Sequence, residues 1–170
     1  MIIYKDVISG DEMISDAYDM KLVDDVVYEV DCTMVTIKKG ADVDIGANAS
    51  AEEASEELED GSETVNNVCH SFRLQPTSYD KKSYLGHLKT YMKTVKAKLV
   101  ENGAAPEEVT TFEKGAQAFA KKIVANFKDY EFLVGESMDI NGMVPLLNYR
   151  EDGSTPFIIF WKHGMKEEKV

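Results

Sequence analysis

Cysteine is nearly missing from this chain, which has only Cys32 and Cys69 among 170 residues. They stand far apart and form no Cys-x-x-Cys pair, which excludes a structural zinc site or a dithiol redox motif of recognisable spacing. Both are expected to be reduced and structural. Histidine is equally scarce: His70, His87 and His163 sit neither at metal-ligand spacing nor in a nucleophile context. Adjacency of Cys69 and His70 does not make a nucleophile and base, because neighbours on a strand point to opposite faces. There is no phosphate loop, no G-x-G-x-x-G and no zinc-protease helix, so no enzyme is expected.

Also absent is any apolar run near 20 residues, which excludes a membrane-spanning helix. Met1 to Asp6 has no charged, apolar and cleavage regions in the order of a signal peptide. The expectation is a soluble intracellular protein. Cations are in short supply, 19 Lys and Arg against 31 Asp and Glu, for a net charge of -12. That balance argues against sequence-specific nucleic-acid binding by the chain as a whole. Nine of the acids (Asp42, Asp44, Glu52, Glu53, Glu56, Glu57, Glu59, Asp60 and Glu63) lie between Ala41 and Glu63, where no Lys or Arg occurs. The remaining body, with 22 acids and 19 bases, is close to neutral.

What is present fits one domain of ordinary composition, 44% hydrophobic and 29% charged. The stretch from Thr77 to Phe127 has helical period. Tyr84, Leu85, Leu88, Tyr91, Met92, Val95 and Leu99 recur at steps of three and four, then Val109, Phe112, Ala116, Phe119, Ala120, Ile123 and Phe127 do the same. Thr77 or Ser78 is placed to cap the first helix, with Asp80 favourable near its positive end. Asn102-Gly103 ends it, and Pro106 suits the first turn of the second. A connection this short predicts an antiparallel helical hairpin over about residues 78–127.

Around that hairpin, Ile2 to Tyr4, Val26 to Val30, Met34 to Ile37 and Val65 to Leu74 read as strands. Tyr130 to Val134, Met143 to Tyr149 and Phe157 to Trp161 follow after it. Val26 to Val30 and Met34 to Ile37 look like a hairpin, a single helical turn is expected near Ser15 to Met20, and Asp152-Gly153 marks a turn between the last two strands. Residues of about 40–64 lack apolar residues in number and are expected to form a long flexible acidic loop, with a brief strand at Asp42 to Gly46. Strands before and after a helical pair, rather than alternating with it, predict an α+β fold with a mainly antiparallel sheet.

Two features carry possible chemistry. On the first long helix Lys82, Lys89, Lys93 and Lys96 form a stripe of one sign beside the apolar face. Such runs are often only solvated, but the scarcity of acids from Asp80 to Glu101 removes the usual intrahelical partners and leaves an acidic partner as an equal alternative. The acidic loop offers oxygen ligands to calcium, although Asp42-x-Asp44-x-Gly46 departs from the EF-hand pattern and predicts weak binding.

Several strings point further. Ile45-Gly46-Ala47-Asn48-Ala49-Ser50-Ala51-Glu52 and Phe127-Lys128-Asp129-Tyr130-Glu131-Phe132-Leu133-Val134-Gly135-Glu136-Ser137-Met138-Asp139 resemble the two signatures of the translationally controlled tumour protein family. Met1-Ile2-Ile3-Tyr4-Lys5-Asp6, Ser71-Phe72-Arg73-Leu74 and Asn148-Tyr149-Arg150-Glu151-Asp152-Gly153 agree. The resemblance implies a twisted β core, a β-tent similar to the fold of small Rab chaperones but without their zinc-binding cysteines, carrying a projecting helical hairpin and a flexible acidic loop. It implies a cytoplasmic protein, associated with microtubules and with the ribosome or elongation machinery, that needs no cofactor and binds calcium weakly. Asn48, Ser50 and Glu52 match the calcium-binding signature, and the tubulin-binding region matches the hairpin with its lysines. Glu12 matches an acidic residue proposed to act on the small GTPase Rheb, so nucleotide-exchange regulation is the alternative function. A monomer is expected.

Overall fold

The computed structural model describes residues 1–38 and 62–169. The loop expected over about 40–64, the brief strand at Asp42 to Gly46, and Asn48, Ser50 and Glu52 lie wholly or mostly outside the described residues.

Among the described residues every strand pairing is antiparallel. Strands β1 (Ile2–Asp6), β2 (Glu12–Ser15) and β11 (Met165–Lys169) form a three-stranded sheet with β1 in the centre. A six-stranded sheet runs in the order β3 (Met20–Val23), β4 (Val27–Asp31), β10 (Pro156–Trp161), β9 (Leu146–Tyr149), β8 (Glu131–Val134), β7 (Gln75–Thr77). Strands β5 (Met34–Lys38) and β6 (Ser62–Asn66) make a separate ribbon. Strand β10 is buried along its whole length, as its unbroken apolar run requires, because partners lie on both edges and packed layers on both faces.

Among the described residues there are three α-helices: α1 (Asn67–Phe72), α2 (Lys81–Glu101) and α3 (Pro106–Ala125). The two long ones form the expected hairpin. Gly103 lies at φ +81° just beyond α2, and Pro106 opens α3. The N-cap of α2 is Asp80, not Thr77 or Ser78. Its carboxylate accepts from Ser83 N at 2.7 Å while Ser83 Oγ accepts from Asp80 N, a reciprocal box that satisfies two otherwise orphaned amides. The hydrogen bonds from Ser83 hold the Asp80 carboxyl below its ordinary range.

Three expectations are corrected, and one strand that was not expected is added. Ser15 to Met20 is not a helical turn: Ser15 ends β2 and Met20 starts β3. The tight turn between them is held by Tyr18 N donating to Ser15 O and Ala17 N to Ser15 Oγ. Strands β4 and β5 are not a hairpin. At Cys32 the backbone amide turns to Pro156 O, and Thr33 N turns to Asn67 Oδ1, so the chain leaves one sheet and enters another ribbon. Val65 to Leu74 is a strand only to Asn66. There the Asn66 side chain accepts from Val68 N and Cys69 N and starts α1, which Arg73 closes at φ +57°. Strand β11, with the sequence MKEEK, carries no alternation to read. It exists because its backbone completes β1, with Glu168 paired to Lys5 at 2.6 Å.

One apolar core joins the hairpin to the sheets. Tyr84 of α2 meets Phe132 of β8 with centroids 5.0 Å apart, and Phe119 of α3 meets Trp161 of β10 edge-on at 5.7 Å. Such pairs add about 0.5–1.5 kcal/mol each beyond the area they bury. Thus one face of the hairpin is fixed on the β core, and the other is free to present its lysines.

Candidate functional site: the outer face of the hairpin and the Glu12 edge

Helical spacing puts Lys82, Lys89, Lys93 and Lys96 on the solvent side of α2, and all four are exposed. Lys82, Lys89 and Lys93 have no ion pair among the described residues. Lys96 does: its Nζ lies 2.8 Å from Glu113 Oε2 on α3, so the stripe is tied to the neighbouring helix at its far end. Lys89, Lys93 and Lys96 stand at the edge of a cavity of about 460 Å³ between the helices, with Leu85, Met92 and Ala120 exposing carbon inside it. Lys82 lies outside that cavity, nearer the N-terminus of α2.

Glu12 is placed elsewhere. It is the exposed first residue of β2, opposite Lys5 in the β1 register. Its neighbour Asp11 fixes it. The Asp11 carboxylate accepts from Ser137 Oγ at 2.7 Å and from Ser137 N at 3.2 Å. That grip needs Gly135, where a Cβ would collide with the Asp11 carboxylate. Beside it Arg73 donates to Glu136 at 2.8 Å. That bond, and the nearness of Glu136, hold the Arg73 guanidinium above its ordinary pKa, with Glu12 adding a smaller share. The segment from Gly135 to Ile140 is therefore the physical support of the Glu12 edge, and it leaves Met138 and Ile140 exposed at 58% and 76%.

Sequence reading did not single out Asp11, Arg73, Glu136 or Ser137 as a cluster, since they come together from three separate segments. The available signal was the second signature string, in which Gly135 and Ser137 follow a strand directly.

Among the described residues no group of three or more His, Cys, Asp or Glu is placed to hold a metal ion. Cys32 and Cys69 are free thiols. Burial pushes them up to about 11 and about 12, so neither is a thiolate at neutral pH. His87 gives Nε2 to the Gly142 carbonyl at 3.0 Å and stacks on Tyr91. His163 packs against Phe112. Burial lowers the pKa of both rings. No helix among the described residues is long and apolar enough to cross a membrane.

The model of the family described as translationally controlled tumour protein matches residues 1–166. The chain belongs to the translationally controlled tumour protein family. It is 68% identical to the translationally-controlled tumor protein homolog of Yarrowia lipolytica over 170 residues, the whole of both chains. It is 64% identical to the homolog of Schizosaccharomyces pombe, with 99% of each covered. The solved structure of p23fyp from Schizosaccharomyces pombe superposes with a TM-score of 0.82 at 64% identity, covering all of both chains. The family member from Caenorhabditis elegans, solved by NMR, gives 0.71 at 33% identity, with 100% of this chain and 99% of that one covered. The α+β architecture with antiparallel sheets and a helical hairpin is that of these family structures.

Proposed function

We propose that this chain is a non-enzymatic, monomeric binding protein of the cytoplasm that associates with microtubules and with the ribosome or elongation machinery, and that the hairpin is its docking surface for acidic partners. The observation that carries this reading is the exposed stripe of Lys82, Lys89 and Lys93 on α2, none of them ion-paired among the described residues. Lys96 extends the stripe while sharing Glu113. Acidic tails such as those of tubulin are attracted to such a stripe through exposed contacts, which salt screens over a Debye length of about 8 Å at physiological ionic strength. Weak calcium binding at Asn48, Ser50 and Glu52 belongs to the same proposal, with no other cofactor required.

Co-sedimentation with microtubules over a salt series tests it. Binding is expected to fall as salt rises and to be lost when Lys82, Lys89, Lys93 and Lys96 are reversed to Glu, with the fold unchanged. Binding insensitive to both salt and reversal would remove the hairpin from this role.

A second reading, regulation of nucleotide exchange or chaperoning of a Rheb-like small GTPase, is favoured by the Glu12 edge. An exposed carboxylate held by a hydrogen-bonded neighbour, with exposed Met138 and Ile140 nearby in the supporting segment, suits insertion into a partner's polar site.

A further inference from the structure

The outer face of the hairpin is more than a row of charges. Leu85, Leu88, Met92, Phe112, Ala116 and Ala120 form an apolar floor between α2 and α3. A second cavity of about 320 Å³ shares Leu85 and Ala120 and continues to Val124 and Ala125. A third of about 350 Å³ shares Val124 and Ala125 and reaches Phe127. With these shared walls the three follow one another along the helix pair and are treated together as one groove. On α3 it runs from Glu113 to Ala125, about 18 Å at 1.5 Å per residue.

The rim is cationic. Lys89, Lys93 and Lys96 border the first cavity, Lys121 the second, and Lys81 and Lys128 the third. The acids on the same border are Glu113, already shared with Lys96, and Asp129. Leu85 remains 38% exposed in the middle. Small side chains at Ala116, Ala120 and Ala125 leave room for a third backbone to approach at helix-packing distance, about 8–10 Å between axes.

We infer that this groove receives an amphipathic helix of a partner protein, about three turns long, with apolar residues on one face and Asp or Glu flanking them. The length of the groove matches such a helix. Its floor suits anchors at i, i+3, i+4 and i+7, and its rim complements acidic flanks. The inference rests on the reading of the hairpin as a surface for acidic partners. It adds a second kind of partner beside simple acidic tails, which need only the lysines: one that also fills the floor over Leu85 and Ala120.

The probe is a fluorescein-labelled 18-residue peptide with Leu at helical anchor spacing and Glu elsewhere, compared with a peptide of equal charge in which each Leu is Ser. Fluorescence anisotropy with the full chain should show binding of the Leu/Glu peptide and at least tenfold weaker binding of the Ser/Glu peptide. The variant Leu85→Ser/Ala120→Gln, which changes no charge, should lose at least tenfold for the Leu/Glu peptide while leaving microtubule co-sedimentation by simple acidic tails unchanged. Lys93→Glu, on the exposed rim, should weaken the same peptide and serves if the double variant is unfolded by circular dichroism. Equal binding of the two peptides, or indifference to the double variant, overturns the groove and leaves the lysine stripe as a charge-only surface. Loss of microtubule binding in the lysine reversal separates failure here from failure of the docking reading itself. Binding of phosphatidylglycerol vesicles that the double variant abolishes, with no peptide binding, also overturns the helix and gives the groove to lipid.

Discussion

The phenol of Tyr91 donates to Asp6 Oδ1 at 3.2 Å, tying the middle of α2 to the end of the first strand across 85 positions of sequence. Both groups are buried, at 1% and 2% exposure. Asp6 also accepts from Met143 N at 2.7 Å, from Ser9 Oγ at 2.8 Å and from the amides of Ile8 and Ser9. A single carboxylate therefore gathers the β1–β2 loop, the loop before β9 and the hairpin that carries the lysines.

Tyr91→Phe removes one of these bonds and leaves the others, so a loss of about 1–2 kcal/mol is expected. Asp6→Ala strands several buried donors together and should cost about 3 kcal/mol or more. Urea unfolding checks both. The midpoint should fall in that order with the slope unchanged, and equal effects would mean that Asp6 does not organise the junction.

Two glycines should respond in opposite directions. Gly86 sits inside α2 with open space where a Cβ would go, so Gly86→Ala is expected to stabilise by about 0.5–1 kcal/mol. A Cβ at Gly164 would strike the Tyr91 hydroxyl and lie 2.9 Å from Met143 Cε, which places the same change there among overpacking substitutions of about 1–3 kcal/mol. Thermal unfolding of the two single variants is the measurement.

The histidines set a pH dependence. Burial holds His87 and His163 below 6.5, opposed at His87 by its bond to Gly142 and the nearby Asp6. At His163, Lys162 adds to the lowering, while Glu108 and Asp25 oppose it. A ring whose folded pKa lies below its unfolded value binds more protons when unfolded. Its contribution is complete above about pH 6.5 and is lost as pH falls toward the folded value. Proton NMR titration should give midpoints below 6.5 for both rings. The decline in stability as pH falls below about 6.5 should be shallower in His87→Gln/His163→Gln, and midpoints at or above 6.5 would reverse the prediction.

The exchange reading makes Asp11 and Glu12 separable. With a Rheb-like GTPase loaded with fluorescent guanine nucleotide, stoichiometric chain should speed release, and Glu12→Ala should abolish the effect. Asp11→Ala keeps the Glu12 carboxylate but removes the hold of Ser137, so it should reduce the effect about tenfold by misplacing that group. No acceleration by the unaltered chain would leave only the binding function.

Much of the site was readable locally because its determinants are local. Lysines at steps of three and four must share a helix face, and Asn102-Gly103 followed by Pro106 must turn the chain back, so the hairpin and its exposed stripe followed from pattern alone. The two signature strings carried the family by themselves. Failures fell where a weak local preference met a stronger distant partner. Val65 to Leu74 alternates poorly, and the Asn66 cap converts most of it to helix. Strand β4 pairs with β10 instead of β5 because the fully buried β10 needs a neighbour on that edge.

The amino-acid order thus determined the helical hairpin, the sign and position of its lysines, the Asp152-Gly153 turn with Gly153 at φ +76°, and membership of the family. Each follows from residues within a few positions of one another. Only the tertiary structure decided that Asp6 would be buried under Tyr91, that Asp11 would hold Ser137 beside Glu12, and that Lys89, Lys93 and Lys96 would border an apolar groove. Those arrangements join side chains from distant segments, and their energies arise from desolvation and packing that exist only once the sheets and the hairpin have closed on each other.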